Sequence, residues 1–208
     1  VKTVCIGVTG YLGAGKSTVT GILATLSGWF PVNLDTLGHE AYLEKKIREQ
    51  VIDHFGEKIV DTEGHINRKA IGAVVYASKS EKKWLETLIW PYIINKAKQL
   101  IAEHRECILD GFILIPSGLF RECCCVLLVQ SCKELLLHRA FLKGYTHPMA
   151  ESILCSQQET LWEGFMPQSS QPLLITVDND GSYQELNALL RSIWEHQLRT
   201  CFGQDKAI

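Results

Sequence analysis

Short apolar runs alternate along the chain with longer stretches of helical periodicity. Residues 4–8 (VCIGV) are apolar and β-rich, a glycine-rich loop follows, and residues 17–26 place Val19, Ile22, Leu23 and Leu26 on one side of a helix. A second strand is predicted over 30–35 (FPVNLD), with Pro31 at its start, where a missing N–H is tolerated. The pattern from 36 to 55 is helical and charged, DTEGH at 61–65 reads as a turn or small hairpin, and 68–76 is again helical. Over 81–104 the residues Trp84, Leu85, Leu88, Ile89, Ile93, Ile94, Ala97 and Ile101 fall on one face, and Pro91 is expected to bend that helix. Buried runs without polar alternation return at 107–110, 126–130 and 173–178, as in a parallel sheet covered on both faces. Helices are expected to separate them, with spans at 133–142, 149–161 and 183–198. Such alternation predicts an α/β fold, a doubly wound three-layer parallel sheet spanning 1–208 as one domain, with a helical insertion over 36–104.

Composition narrows the partners. The chain has 208 residues, enough for one substantial core, and a formal charge of -2, which provides no strong field for gathering nucleic acid or an anionic membrane, although a balanced total leaves room for a local basic patch. A small-molecule substrate is the expectation. The longest apolar stretch, CCCVLLV at 123–129, is far shorter than the roughly 20 residues of a membrane-spanning helix. The first apolar run breaks at glycine before it reaches signal-peptide length, so no leader is expected. Eight cysteines, three of them consecutive, show neither CxxC spacing nor a Cys/His cluster. They read as small buried hydrophobes in a reducing compartment, which makes the cytoplasm the default location.

The glycine-rich loop carries the first chemistry. Gly10, Gly15, Lys16 and Ser17 match G-x-x-x-x-G-K-[ST], with a predicted strand before the match and a predicted helix after it. Glycines allow the backbone N–H groups of the loop, through Leu12, Gly13 and Ala14, to turn inward around phosphate oxygens. The helix adds its positive end, and Lys16 adds a point charge between terminal phosphates. Ser17 is expected to hold Mg²⁺ and Thr18 to offer a second hydroxyl to an inner phosphate. ATP or GTP binding with Mg²⁺ follows.

The phosphate acceptor is less directly written. Asp35, at the end of the second predicted strand, lies where doubly wound sheets bind ligands and is placed to take a proton from an attacking hydroxyl; the alternative is a cap on the helix expected from Thr36. Asp110 ends the strand in CILDG, where a carboxylate holds a magnesium-bound water, or else forms an Asp-Gly turn. Arg139 and Lys143 are candidates for a cationic lid over the transferring group, against the plainer reading of solvated helix charges.

Taken together, IGVTGYLGAGKSTV, NLDTLGHEAY, EGHINRKAIGAVVY, CILD and VDNDGS, in that order and spacing, resemble the dephospho-coenzyme A kinases over nearly the whole chain. The resemblance implies a nucleoside-monophosphate-kinase-like core, a helical coenzyme-A-binding lobe over 36–104 and a lid over 139–160. It implies ATP-dependent phosphorylation of the ribose 3'-hydroxyl of dephospho-coenzyme A, with Asp35 activating that hydroxyl, His39 and Arg68 on the acceptor side, Arg139 as the lid arginine, and Asn179 near the adenine of ATP. The oligomeric state is not indicated.

The chain departs from the family pattern at several points. Asn33 replaces the first Asp of an Asp-x-Asp pair, and Trp90 replaces the His of a His-Pro pair. Phe112 and Pro116 stand where Pro and Glu are usual, Lys143-Gly144 stands for Arg-Asp, and an apparent insertion, LWEGFMPQSSQP, runs over 161–172. These changes gather on the acceptor and lid contacts and spare the phosphate cradle. Two other readings therefore stay open: a kinase of another nucleotide or small alcohol, and a nucleotide-binding regulatory protein with weakened catalysis.

Overall fold

The computed structural model describes residues 3–161 and 172–199. Along the chain lie β1 (Val4–Gly10), α1 (Lys16–Ser27), β2 (Phe30–Asn33), α2 (Leu34–Glu40), α3 (Lys45–Phe55), α4 (Arg68–Ala77), α5 (Lys79–His104), β3 (Glu106–Asp110), β4 (Cys125–Gln130), α6 (Lys133–Leu142), α7 (His147–Thr160), β5 (Leu173–Asp178) and α8 (Tyr183–Ile193). The chain divides into two compact units, one of residues up to Leu34 together with those from Gln99 onward, the other Asp35–Lys98.

The first unit is built on a five-stranded parallel sheet in the order β2-β3-β1-β4-β5, flanked by helices. β1, β3 and β4 are buried almost throughout, which is why they read as unbroken apolar runs. At the edge, β5 buries only Ile175 and Val177 and shows a period of two. Pro31 sits on the other edge strand, where no N–H is missed. On one face Ile6, Val8, Ile108, Leu127 and Val129 pack with Val19 and Leu23 of α1 and Leu186 and Leu190 of α8. On the opposite face the chain between β3 and β4 comes so close that a Cβ on Gly7 would lie 2.6 Å from Leu114. That connection is a pair of short 3₁₀ turns, Phe112–Leu114 and Leu119–Glu122, instead of the expected helix.

The second unit is helical. Asp61 Oδ1 accepts from the amides of Glu63 and His65 at 3.0 and 2.8 Å, closing the 61–65 turn beneath an antiparallel bridge between Val60 and Ile66. Asn67 caps α4, accepting the Ala70 amide at 3.1 Å. α3 is tied to α5 by the His54 ring, which stacks on Trp84 at 3.7 Å and hydrogen-bonds Glu81 at 2.6 Å.

Three departures from expectation have a packing reason. β2 stops at Asn33 and helix starts at Leu34, whose buried side chain packs so closely under Gly111 that a Cβ there would lie 2.8 Å away. α5 runs unbroken through Pro91, an exposed position, while Leu85, Ile89, Ile93, Ala97 and Ile101 form a buried stripe. That burial outweighs the roughly 3 kcal/mol a proline costs inside a helix. α8 gives way to a π-helical turn, Trp194–Leu198, that seats Trp194 edge-on against Trp29. No helix among the described residues is long and apolar enough to cross a membrane.

Candidate active site

The site grows from the centre of the sheet. β1 ends at Gly10, and the chain turns through Gly13 and Gly15 with φ of 80° and 95° before α1 begins. These are left-handed values that favour glycine. Space demands it too: a Cβ on Gly13 would collide with the Leu136 carbonyl, and one on Gly15 with the Asn179 amide. α1 has no side-chain cap and no acid in its first turn, so its leading N–H groups and positive dipole end are left for an anion. Ser17 and Thr18 are exposed there. The Lys16 ammonium donates to the Tyr11 carbonyl at 3.2 Å, so its charge stays on the loop.

Two side-chain amides from distant parts of the chain brace this loop. Asn179, 6% exposed, donates from Nδ2 to the Ala14 carbonyl at 2.8 Å. Gln157 of α7 accepts the Leu12 amide at 2.8 Å. The Asn179 backbone is pinned in turn: its N–H donates to the Gln130 carbonyl at 2.9 Å, and its carbonyl accepts from Ser131 Oγ at 2.6 Å and from the Arg139 guanidinium at 2.9 Å. Arg139 also donates to Ser131 Oγ at 2.9 Å, so its fork joins the ends of β4 and β5. The amide of Asn179, the residue that the resemblance puts near the adenine of ATP, is a strut of the phosphate loop. Ser131 and Gln157 were not anticipated, because neither follows a periodic pattern or a motif.

Beside the loop, at the C-terminal ends of β4 and β5, opens a cavity of about 550 Å³ whose wall includes Tyr11, Gln130, Leu136, Leu154, Asp178 and Asp180. This is the crevice side of a doubly wound sheet. Burial pushes the Tyr11 phenol above its ordinary pKa, keeping it a neutral donor at the loop's edge.

Asp110 is 2% exposed and stands level with Val8 of β1 and Asn33 of β2 at the ends of the strands. Its Oδ1 is shut off from solvent. A carboxylate in so dry a place is an oxygen donor of the kind hard divalent cations take, and Ser17, the other oxygen expected at the metal, lies on the same unit.

The remaining expected site residues are placed as follows. Lys143 is exposed at the C-cap of α6. Asp35 and His39 belong to the helical unit, both exposed on α2 and four positions apart, so they share a helix face. Asp35 lies inside the first turn, neither at a strand end nor at the cap. Arg68 opens α4 in the same unit. Apart from Leu161 and Pro172, the apparent insertion lies outside the described residues.

A phosphate loop at the end of the central parallel strand, a dry carboxylate beside it and a cavity at the strand ends define a P-loop phosphotransferase. Comparison with known proteins agrees and goes further: the family model described as dephospho-CoA kinase matches residues 4–185. The dephospho-CoA kinase of Geobacter sulfurreducens is 30% identical over 91% of this chain and 96% of its own. That of Fusobacterium nucleatum is 33% identical over 73% of this chain and 80% of its own. The solved dephospho-CoA kinase of Campylobacter jejuni, 22% identical, superposes with a TM-score of 0.60 over 94% of this chain and 98% of its own, supporting the fold. The chain belongs to the dephospho-CoA kinase family, enzymes that phosphorylate dephospho-CoA to CoA with ATP.

Proposed function

We propose that this chain transfers the γ-phosphoryl group of ATP to the ribose 3'-hydroxyl of dephospho-CoA. The carrying observation is the braced phosphate loop, whose uncapped helix end and ammonium neutralise a polyphosphate. Lys16 sets its charge between the β and γ phosphates, and the loop amides fix their oxygens so that little reorganisation accompanies transfer. Ser17 and Asp110 would hold Mg²⁺, which when bound neutralises charge developing on the phosphate oxygens. The cavity beyond Tyr11 takes the nucleoside end, where Gln130, Asp178 and Asp180 offer acceptors to ribose hydroxyls and base amines.

On the acceptor side, Asp35 takes or orients the proton of the 3'-hydroxyl, with His39 one turn along the same helix and Arg68 at the start of α4 binding the acceptor's anionic groups. Arg139 and Lys143, on and just after α6, supply cations to the transferring group. Excluding water matters as much as charge, because hydrolysis of ATP competes with transfer. The unbridged thiols of the described cysteines suit a reducing compartment, and we place the enzyme in the cytoplasm.

Asp35→Asn tests the assignment. The parent chain is expected to release ADP only when dephospho-CoA is present, and the variant to bind MgATP unchanged while transfer falls by about 10²-fold or more. A parent chain that binds ATP but phosphorylates an adenylate-like acceptor and not dephospho-CoA would overturn the substrate. Equal transfer by the variant would overturn the role of Asp35.

A further inference from the structure

The described cysteines form two populations. Cys5, Cys107, Cys123 and Cys125 are buried in and under the sheet, and the half-buried Cys124 donates its S–H to the Cys5 carbonyl at 3.0 Å. The hydrogen bond with Cys107, reinforced by burial, pushes the Cys5 thiol up, and burial does the same to Cys123. The same hydrogen bond holds Cys107 below its ordinary value, but burial shuts the thiols in and under the sheet away from solvent reagents. Cys132 and Cys155 are different: both are exposed, and both line the cavity beside the phosphate loop. They reach it from separate elements. Cys132 precedes α6, its amide held by Asp180 Oδ1 at 2.9 Å. Cys155 lies on α7, two residues before the Gln157 that braces Leu12.

The charge of the wall selects what can enter. Among the described residues of the wall, Glu151, Asp178 and Asp180 outnumber the cation Lys133, which is paired with Glu151 at 3.4 Å. An excess of carboxylates repels anions and attracts cations.

We propose that this cavity is a thiol-modification site, in which Cys132 and Cys155 exchange with uncharged or cationic low-molecular-weight disulfides and the adducts exclude nucleotide. This rests on the reading that the cavity receives the nucleoside end of ATP. In each exchange the cysteine thiolate attacks one sulfur of R–S–S–R and forms a protein–S–S–R bond. The R–S–S–R bond breaks, and RS⁻ leaves and takes up the proton the cysteine gave up. The cysteine is oxidised, one R–S group is reduced, and a dithiol reverses the change.

The test exposes the full chain to cystamine or to oxidised glutathione, locates adducts by peptide mass, and measures MgATP binding by calorimetry. Cystamine is expected to label Cys132 and Cys155 faster than the anionic glutathione disulfide by about tenfold or more at low salt. MgATP is expected to slow that labelling, and the adducts to weaken MgATP affinity by about tenfold or more, reversibly with dithiothreitol. In Cys132→Ser/Cys155→Ser, cystamine is expected to leave MgATP affinity where it was before treatment. Labelling that leaves the parent's affinity unchanged, labelling that bound MgATP does not slow, or labelling confined to other cysteines would each overturn this inference while leaving the kinase reading intact. Failure of the untreated chain to take up MgATP would overturn both.

Discussion

Asn179 shows how much one side chain carries. Its amide supports the Ala14 carbonyl inside the phosphate loop, its backbone joins β4 to β5, and its position closes the space that a Cβ on Gly15 would need. Asn179→Ala leaves a buried carbonyl without its donor, a loss of about 1–3 kcal/mol. Urea denaturation is expected to show that loss and calorimetry a weaker MgATP affinity. Gln157→Ala removes a more accessible acceptor and is expected to cost about 1 kcal/mol or less. Asn33, which departs from the family pattern, stands level with the dry carboxylate of Asp110 on the neighbouring strand. The cysteines divide at this scale too. Composition treats all eight alike, and the expectation that they are buried holds for those in the sheet and fails for Cys132 and Cys155.

Whole elements are legible where local physics dominates. α6 and β5 have the bounds that periodicity predicts, and α1 exceeds its prediction by one residue at each end. Where a tertiary contact competes, local rules yield: Leu34 ends β2 early by packing under Gly111, and the buried stripe of α5 carries the helix through Pro91. α8 adds a capping box, with Ser182 and Glu185 each satisfying the other's backbone amide. The backbone and side-chain hydrogen bonds from Ser182 hold the Glu185 carboxyl below its ordinary value of 4.5. A depressed folded pKa contributes stability above the unfolded value and loses it as pH falls through the folded one. Thermal midpoints measured at descending pH are therefore expected to fall less steeply below that value in Glu185→Gln than in the parent chain, because the variant has no carboxylate to protonate.

For the molecule as a whole, the division into a sheet-based unit and a helical unit sets where stability resides. β1, β3 and β4 are paired on both sides and buried on both faces, whereas the unit Asp35–Lys98 encloses a smaller core. Native-state hydrogen exchange is expected to find the slowest amides in those three strands, opening only with global unfolding, and to find the amides of α2, α3 and α4 exchanging through lower-energy openings. Equal protection in both units would count against that ordering.

By itself the sequence determined the parallel α/β class, the position of the phosphate loop and the family, because buried strands, helical periodicity and a glycine-rich turn all write their requirements into neighbouring residues. Only the tertiary structure decided what surrounds the loop. Asn179 reaches Ala14 across 165 residues and Gln157 reaches Leu12 across 145. A hydrogen bond between groups so far apart leaves no periodic trace in either segment. Chain folding alone sets which thiols face the cavity and which carboxylate lies dry at the end of β3.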